Sequence, residues 1–138
     1  MTVQKNKALI RRYVAEVYNQ HNLERYLEFV GEVIAEEGAD HLQQFFTAFP
    51  DSHTIILDLF GEGDKVVTRL RIIGTNNGPF AGQLATGKKL QFDSFRIYRI
   101  VGDKIVESWA IQDRMGLMEQ LGFIRTAGDV NWGAEVEE

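Results

Sequence analysis

Asp113, Arg96 and Trp109 are the residues of this chain whose types and spacing admit chemistry. Asp113 stands where the alternating stretch KIVESWAIQ (104–112) gives way to RMGLMEQLG (114–122), at a change from strand to helix. A side chain placed there can reach into a cavity. A desolvated carboxylate is a good proton-transfer group, and Phe92, Trp109 and Ile111 are the residues that would desolvate this one. The competing role is structural. Asp113 precedes Leu117 and Leu121 and can cap the last helix by accepting from a backbone N–H two or three residues on.

Arg96 lies in mid-strand beside aromatic residues, where a guanidinium needs a carboxylate or a ligand oxygen. It is the candidate electrophilic partner for a developing oxyanion. Otherwise it pairs with Glu107 or lies on the solvated face. Asp93 and Arg69 are weaker candidates, because strand alternation alone can turn both outward. Trp109 suits either a core or a ligand platform.

Other chemistries lack their parts. His21, His41 and His53 show no HExxH or paired spacing, so neither a metal nor any other cofactor is expected. There is no GxSxG elbow, and Gly61-x-Gly63 lies in a hairpin rather than a phosphate loop. With no cysteine, disulfides and thiolate sites are excluded. Carboxylates, arginine and aromatic groups remain, which means proton transfer or no chemistry.

The elements that must position these groups follow from periodicity. Leu9, Ile10, Tyr13, Val14, Val17 and Tyr18 form a helical stripe over 5–20. Asn22 caps a second helix with Leu23, Tyr26, Leu27 and Val30 inward. Residues 31–38 either extend that helix or form an irregular link. Asp40 and Gln43 fit a capping box for a third helix carrying Leu42, Phe45, Phe46 and Phe49, which Pro50 ends. The period then changes to two, and strands are expected at 53–60, 66–75, 90–101 and 104–112. Turns at 61–64 and 102–103 make two hairpins, and 76–89 is a long loop. Helices followed by strands indicate an α+β fold with an antiparallel, strongly curled sheet covered on one face by the N-terminal helices.

Two registers are open for the last hairpin. A plain two-residue turn sets Arg96 opposite Trp109 and Phe92 opposite Asp113. A bulge instead brings Ser108 and Gln112 to the Arg96 side.

The length of 138 residues fits one domain, 1–138, with 123–138 as an irregular tail. A net charge of −5 without a basic stripe argues against a nucleic-acid partner. No apolar run suggests a membrane span or a signal peptide, so a cytoplasmic location is expected.

Four stretches together resemble the SnoaL-like polyketide cyclase family. They are Phe49-Pro50-Asp51, the run GTNNGPF at 74–80, Thr86-Gly87-Lys88-Lys89, and the run from Gly102 through Trp109 and Asp113 to Gly122. The resemblance covers roughly residues 6–122. It implies the nuclear transport factor 2-like fold, a cone-shaped α+β barrel with an apolar pocket. It also implies cofactor-free, aldol-type ring closure of a polyketide ester, with Asp113 matching the acid/base aspartate. Three features differ from the usual pattern. Ser108 and Asn76 stand where histidines are frequent, and 28–40 has no room for an extra strand pair.

The expected substrate is a small hydrophobic molecule touched by Arg96, Trp109, Phe92, Ser108 and Tyr98. Two alternatives accompany this reading. One is a non-catalytic binding or association module on the same fold. The other is an enzyme resembling the epoxide hydrolases or isomerases, built from Asp93, Arg96 and Asp113. Apolar residues on both sheet faces, such as Val67, Ile73, Phe95 and Ile97 opposite Leu70, Ile72 and Phe92, predict a sheet-to-sheet homodimer.

Overall fold

A computed structural model of the chain describes residues 2–124. Helix α1 (Val3–Tyr13) begins where Thr2 Oγ1 accepts from Lys5 N at 3.1 Å. It continues into a π turn (Val14–Tyr18), in which Asn19 N and Asn22 N reach back five residues to Val14 O and Val17 O. Asn22 Oδ1 then caps α2 (Leu23–Phe29) by accepting from Arg25 N. In α2 the buried residues are Tyr26 and Phe29, whereas Leu27, expected inside, is 54% exposed.

Helix α3 is one uninterrupted element, Glu32–Ala48, and Asp40 lies exposed in its middle rather than capping its start. The reason lies in the first half of the helix. Ile34, Ala35 and Ala39 continue the apolar stripe of Leu42 and Phe46 at helical spacing and pack on the same core. The helix stops at Ala48, ahead of Pro50 as expected.

Strands β1 (His53–Glu62), β2 (Lys65–Thr75), β3 (Lys89–Val101) and β4 (Lys104–Gln112) pair antiparallel in that order. The turn between β3 and β4 has positive φ at Gly102 (55°) and Asp103 (64°). That is the twist a two-residue hairpin favours. Val101 pairs with Lys104, but the register then shifts. Ile100 faces Ile105, while Arg99 faces Glu107, which leaves Val106 as an extra residue in β4. The bulged alternative is therefore the one adopted. Next to the bulge, Gly31 N donates to Ile105 O at 2.9 Å, tying the start of α3 to this strand.

The inner face of the sheet carries Val66, Leu70, Ile72, Phe92, Tyr98 and Ile100, all buried under the helices. Two core clusters form there. The first unites α1, α2 and α3 with Val66, Tyr98 and Ile100. The second unites Phe49, Leu70, Phe92, Leu117 and Leu121, and Tyr18 packs against both. Helix α4 (Arg114–Leu121) closes the second cluster and ends on Gly122 at φ +79°, a left-handed cap.

The link after β2 is braced by Asn76, which is fully buried. Its Nδ2 donates to Gly78 O at 2.8 Å and to Ala48 O at 3.4 Å. Its Oδ1 accepts from Thr86 N and Thr86 Oγ1, both at 2.9 Å. Asn76 thus acts as a loop clamp.

Candidate active site

The four strand arginines divide by face. Arg69 pairs with Asp58 at 2.5 Å, Arg71 grips Asp93 through two bonds of 2.9 and 3.1 Å, and Arg99 pairs with Glu107. All three pairs lie on the outer face. Arg96 alone points inward, and among the described residues it makes no ion pair and no hydrogen bond. The expected pairing with Glu107 fails because Val106 shifts Glu107 opposite Arg99.

What surrounds Arg96 is aromatic. Tyr13, Tyr18, Tyr26 and Tyr98, which are all the tyrosines of the chain, lie near enough to its guanidinium to act on its charge. Tyr13 is the hub, with its ring centroid 5.3 Å from Tyr18, 6.2 Å from Tyr26, 6.1 Å from Tyr98 and 5.6 Å from Phe29. The neighbouring tyrosines, Tyr18 foremost, raise the Arg96 pKa above the ordinary arginine value against the opposing effect of burial. Burial itself pushes Tyr26 and Tyr98 up to about 12 and raises Tyr13 as well. Space for Tyr26 comes from Gly38 of α3, where an added Cβ would lie 1.7 Å from the phenol oxygen. That close approach explains a glycine inside a helix, where it otherwise costs about 1 kcal/mol relative to alanine.

Three hydroxyls in the same interior, Thr68 Oγ1, Ser94 Oγ and Tyr98 Oη, are buried without a hydrogen-bond partner. Thr68 and Arg96 are directly opposed across β2 and β3, with Ser94 and Tyr98 two residues to either side of Arg96. Buried polar groups are normally satisfied. A cation and three orphan hydroxyls on one face therefore form a polar patch among the apolar residues of the inner sheet face. Arg96 keeps part of its surface accessible. Ser108 and Ala110, on the same face of β4, are exposed, so the patch opens toward solvent along that strand.

The sequence-derived candidates distribute unevenly. Tyr98 and Ser108 pair across the strands on the inner face, and Phe92 is buried in the second core cluster. Trp109 faces the other way, because the bulge turns it outward beside Ile97, where it is 46% exposed. Asp113 is exposed at the N-cap of α4, its Oδ1 accepting from Gly116 N at 2.9 Å. Asp93 is held on the outer face by Arg71, which keeps its pKa below the ordinary carboxylate range. The trio Asp93, Arg96 and Asp113 is thus not assembled, and the epoxide-hydrolase-like arrangement is excluded by the opposite faces of Asp93 and Arg96. Tyr13, Tyr18, Tyr26, Thr68 and Ser94 were not foreseen as site residues. The tyrosines read as ordinary members of apolar stripes, and the five-residue spacing of Tyr13 and Tyr18 carried no hint of a shared direction, since an α-helix sets such a pair well off one face.

The histidines serve structure. His21 stacks on Phe46 at 4.6 Å and its Nε2 lies 2.8 Å from Ser52 O, while His41 and His53 are exposed. No cluster of potential metal ligands occurs among the described residues. Nor is any described helix long and apolar enough to cross a membrane.

Comparison with known proteins agrees with this architecture. The chain matches the SnoaL-like polyketide cyclase family over residues 6–121. No curated protein matches it in sequence. Among solved structures, AclR from Streptomyces galilaeus superimposes with a TM-score of 0.87 at 23% identity, covering 99% of this chain and 92% of AclR. A SnoaL-like polyketide cyclase from Agrobacterium tumefaciens gives 0.75 at 20% identity, covering 88% and 100%. IdmH from Streptomyces antibioticus gives 0.69 at 26% identity, covering 85% and 98%. At these identities the first two likenesses speak for the fold alone.

Proposed function

Because the chain belongs to the SnoaL-like polyketide cyclase family, we propose that it catalyses cofactor-free, aldol-type ring closure of a small hydrophobic, polyketide-like ester. The observation that carries this reading is Arg96, a cation without a carboxylate partner, set among tyrosines and orphan hydroxyls inside the cone. A fixed positive charge in a poorly hydrated site stabilises an enolate oxygen far better than water does. The apolar walls accommodate the carbon skeleton, and Tyr98 and Ser108 flank the route to the opening.

Asp113 remains the family's candidate for the base. Its position at the end of β4 is one residue beyond Gln112, which pairs with Ser94 on the inner face. Its exposure and capping bond favour a second reading, a binding module that holds an acidic small molecule on Arg96 without turning it over. In either case we expect a cytoplasmic homodimer joined through the outer sheet faces.

Turnover of a panel of linear β-keto esters separates the two readings. Wild type should close the ring, and Arg96→Met should lower kcat/KM by about 10²–10³, the usual cost of losing one oxyanion donor. Equal rates for Arg96→Met and wild type would remove the enzyme reading. Binding of the esters without turnover by either protein would establish the binding module.

A further inference from the structure

The π turn that ends the first helix has a chemical consequence. An α-helix would separate Tyr13 and Tyr18 by about 500° of rotation, at 100° per residue, which is well off one face. The extra residue of the π turn brings Tyr18 back over Tyr13, edge to face at 5.3 Å. π turns recur at functional sites because they re-aim one side chain without disturbing the rest of the helix. Here the re-aimed side chain is the tyrosine with the strongest electrostatic influence on Arg96.

Tyr18 also differs from its three companions in exposure. Tyr13, Tyr26 and Tyr98 are at most 5% exposed and wall the site, whereas Tyr18 is only partly buried between the two core clusters. Its hydroxyl is not among the buried orphans, and the polar group it interacts with is the Tyr13 phenol. A phenol in the same aromatic cluster as a cation that has no carboxylate partner among the described residues is equipped for proton transfer.

Resting on the reading of the site given above, we infer that Tyr18 is the proton-transfer group of this pocket, giving its phenol proton to the substrate oxygen that Arg96 holds. For enolisation of a β-keto ester the step balances with water alone. The α proton leaves to a water molecule, and its C–H electron pair becomes the C=C bond. The carbonyl π pair moves to oxygen, and that oxygen takes the Tyr18 proton. The tyrosinate left beside Arg96 recovers a proton from the hydronium. Ring closure follows from the enol so formed.

The test is deuterium exchange at the α carbon of ethyl 2-oxocyclopentanecarboxylate in D2O, followed by proton NMR. Wild type should exchange faster than buffer. Tyr18→Phe, which keeps the ring and its packing, should reduce kcat about 100-fold or more while KM stays within about threefold. Arg96→Met should raise KM as well as lower kcat. Thermal unfolding of Tyr18→Phe within a few degrees of wild type confirms that the fold is intact. Exchange by Tyr18→Phe at the wild-type rate, with Arg96→Met impaired, overturns the role of Tyr18 and leaves the acid/base reading standing. Exchange by wild type no faster than buffer overturns both.

Discussion

Tyr98 and Ser108 stand directly opposite one another across β3 and β4. One extra residue, Val106, produces that pairing, and it decides which side of β4 shares the inner face of the sheet. With it, Ser108, Ala110 and Gln112 line the same face as Tyr98, Arg96 and Ser94. Without it, Glu107 and Trp109 would occupy those places, and Arg96 would have had a carboxylate beside it.

The Asp113 cap can be separated from any catalytic role by two substitutions. Asparagine caps a helix about as well as aspartate, so Asp113→Asn should unfold within about 0.5 kcal/mol of wild type, while Asp113→Ala should lose about 1 kcal/mol. Denaturant titration measures both. If Asp113→Asn also turns over β-keto esters at the wild-type rate, the carboxylate is a cap and nothing more.

Asn76→Ala should be among the more damaging changes remote from Arg96. It removes four hydrogen bonds and strands the buried groups they satisfied, so a loss of at least about 2 kcal/mol is expected in urea unfolding. A loss below 0.5 kcal/mol, on the order of an ordinary surface change, would show that water replaces the clamp.

Trp109 should report association rather than ligand binding. It shares the outer face with Phe95 (55% exposed), Ile97 and Ile111 (78% exposed), an apolar strip bordered by the Arg–carboxylate pairs. Such a strip favours a partner subunit. Light scattering should give twice the 15.7 kDa of one chain. Ile97→Glu should yield the single-chain mass with red-shifted Trp109 emission. A 15.7 kDa wild-type particle at micromolar concentration would sink the dimer.

The tyrosine cage predicts an alkaline limit. Tyr26 and Tyr98 have folded pKa values of about 12, raised chiefly by burial, against about 10 in an unfolded chain. A raised folded value means that the stabilisation is fully present below about pH 10 and is lost as pH climbs through about 12. Absorbance at 295 nm should therefore show tyrosinate appearing late and together with loss of helix circular dichroism. Complete ionisation of all four tyrosines near pH 10 in a folded protein would contradict the cage.

Much of this architecture was legible in the residues. The strand boundaries fell within two residues of those observed, because each strand alternates and each turn carries Gly or Asp. Asn22 capped α2 as its position suggested. Asp40 misled because a capping signature says nothing about a helix already in progress behind it, and Ile34, Ala35 and Ala39 had put that helix in progress. The candidate site was legible only in part. Arg96 stood out as a charge in an apolar strand. Its companions did not, since the direction of Trp109, Ser108 and Tyr18 depends on local irregularities with no compositional mark. Val106 and the π turn each rest on a balance of backbone hydrogen bonds and packing summed over the whole molecule.

Those two irregularities make the chain far more sensitive to changes in length than in side chain. Ala15 is exposed, and replacing it should alter little. Removing it would restore α-helical winding to the π turn and rotate everything before it by about 100°, carrying Asn6, Leu9 and Ile10 off the core. Deleting Val106 would likewise exchange the two faces of β4 from Glu107 onward. Relatives that drifted by substitution could keep this arrangement at low identity, whereas a single lost codon in either place would dismantle it.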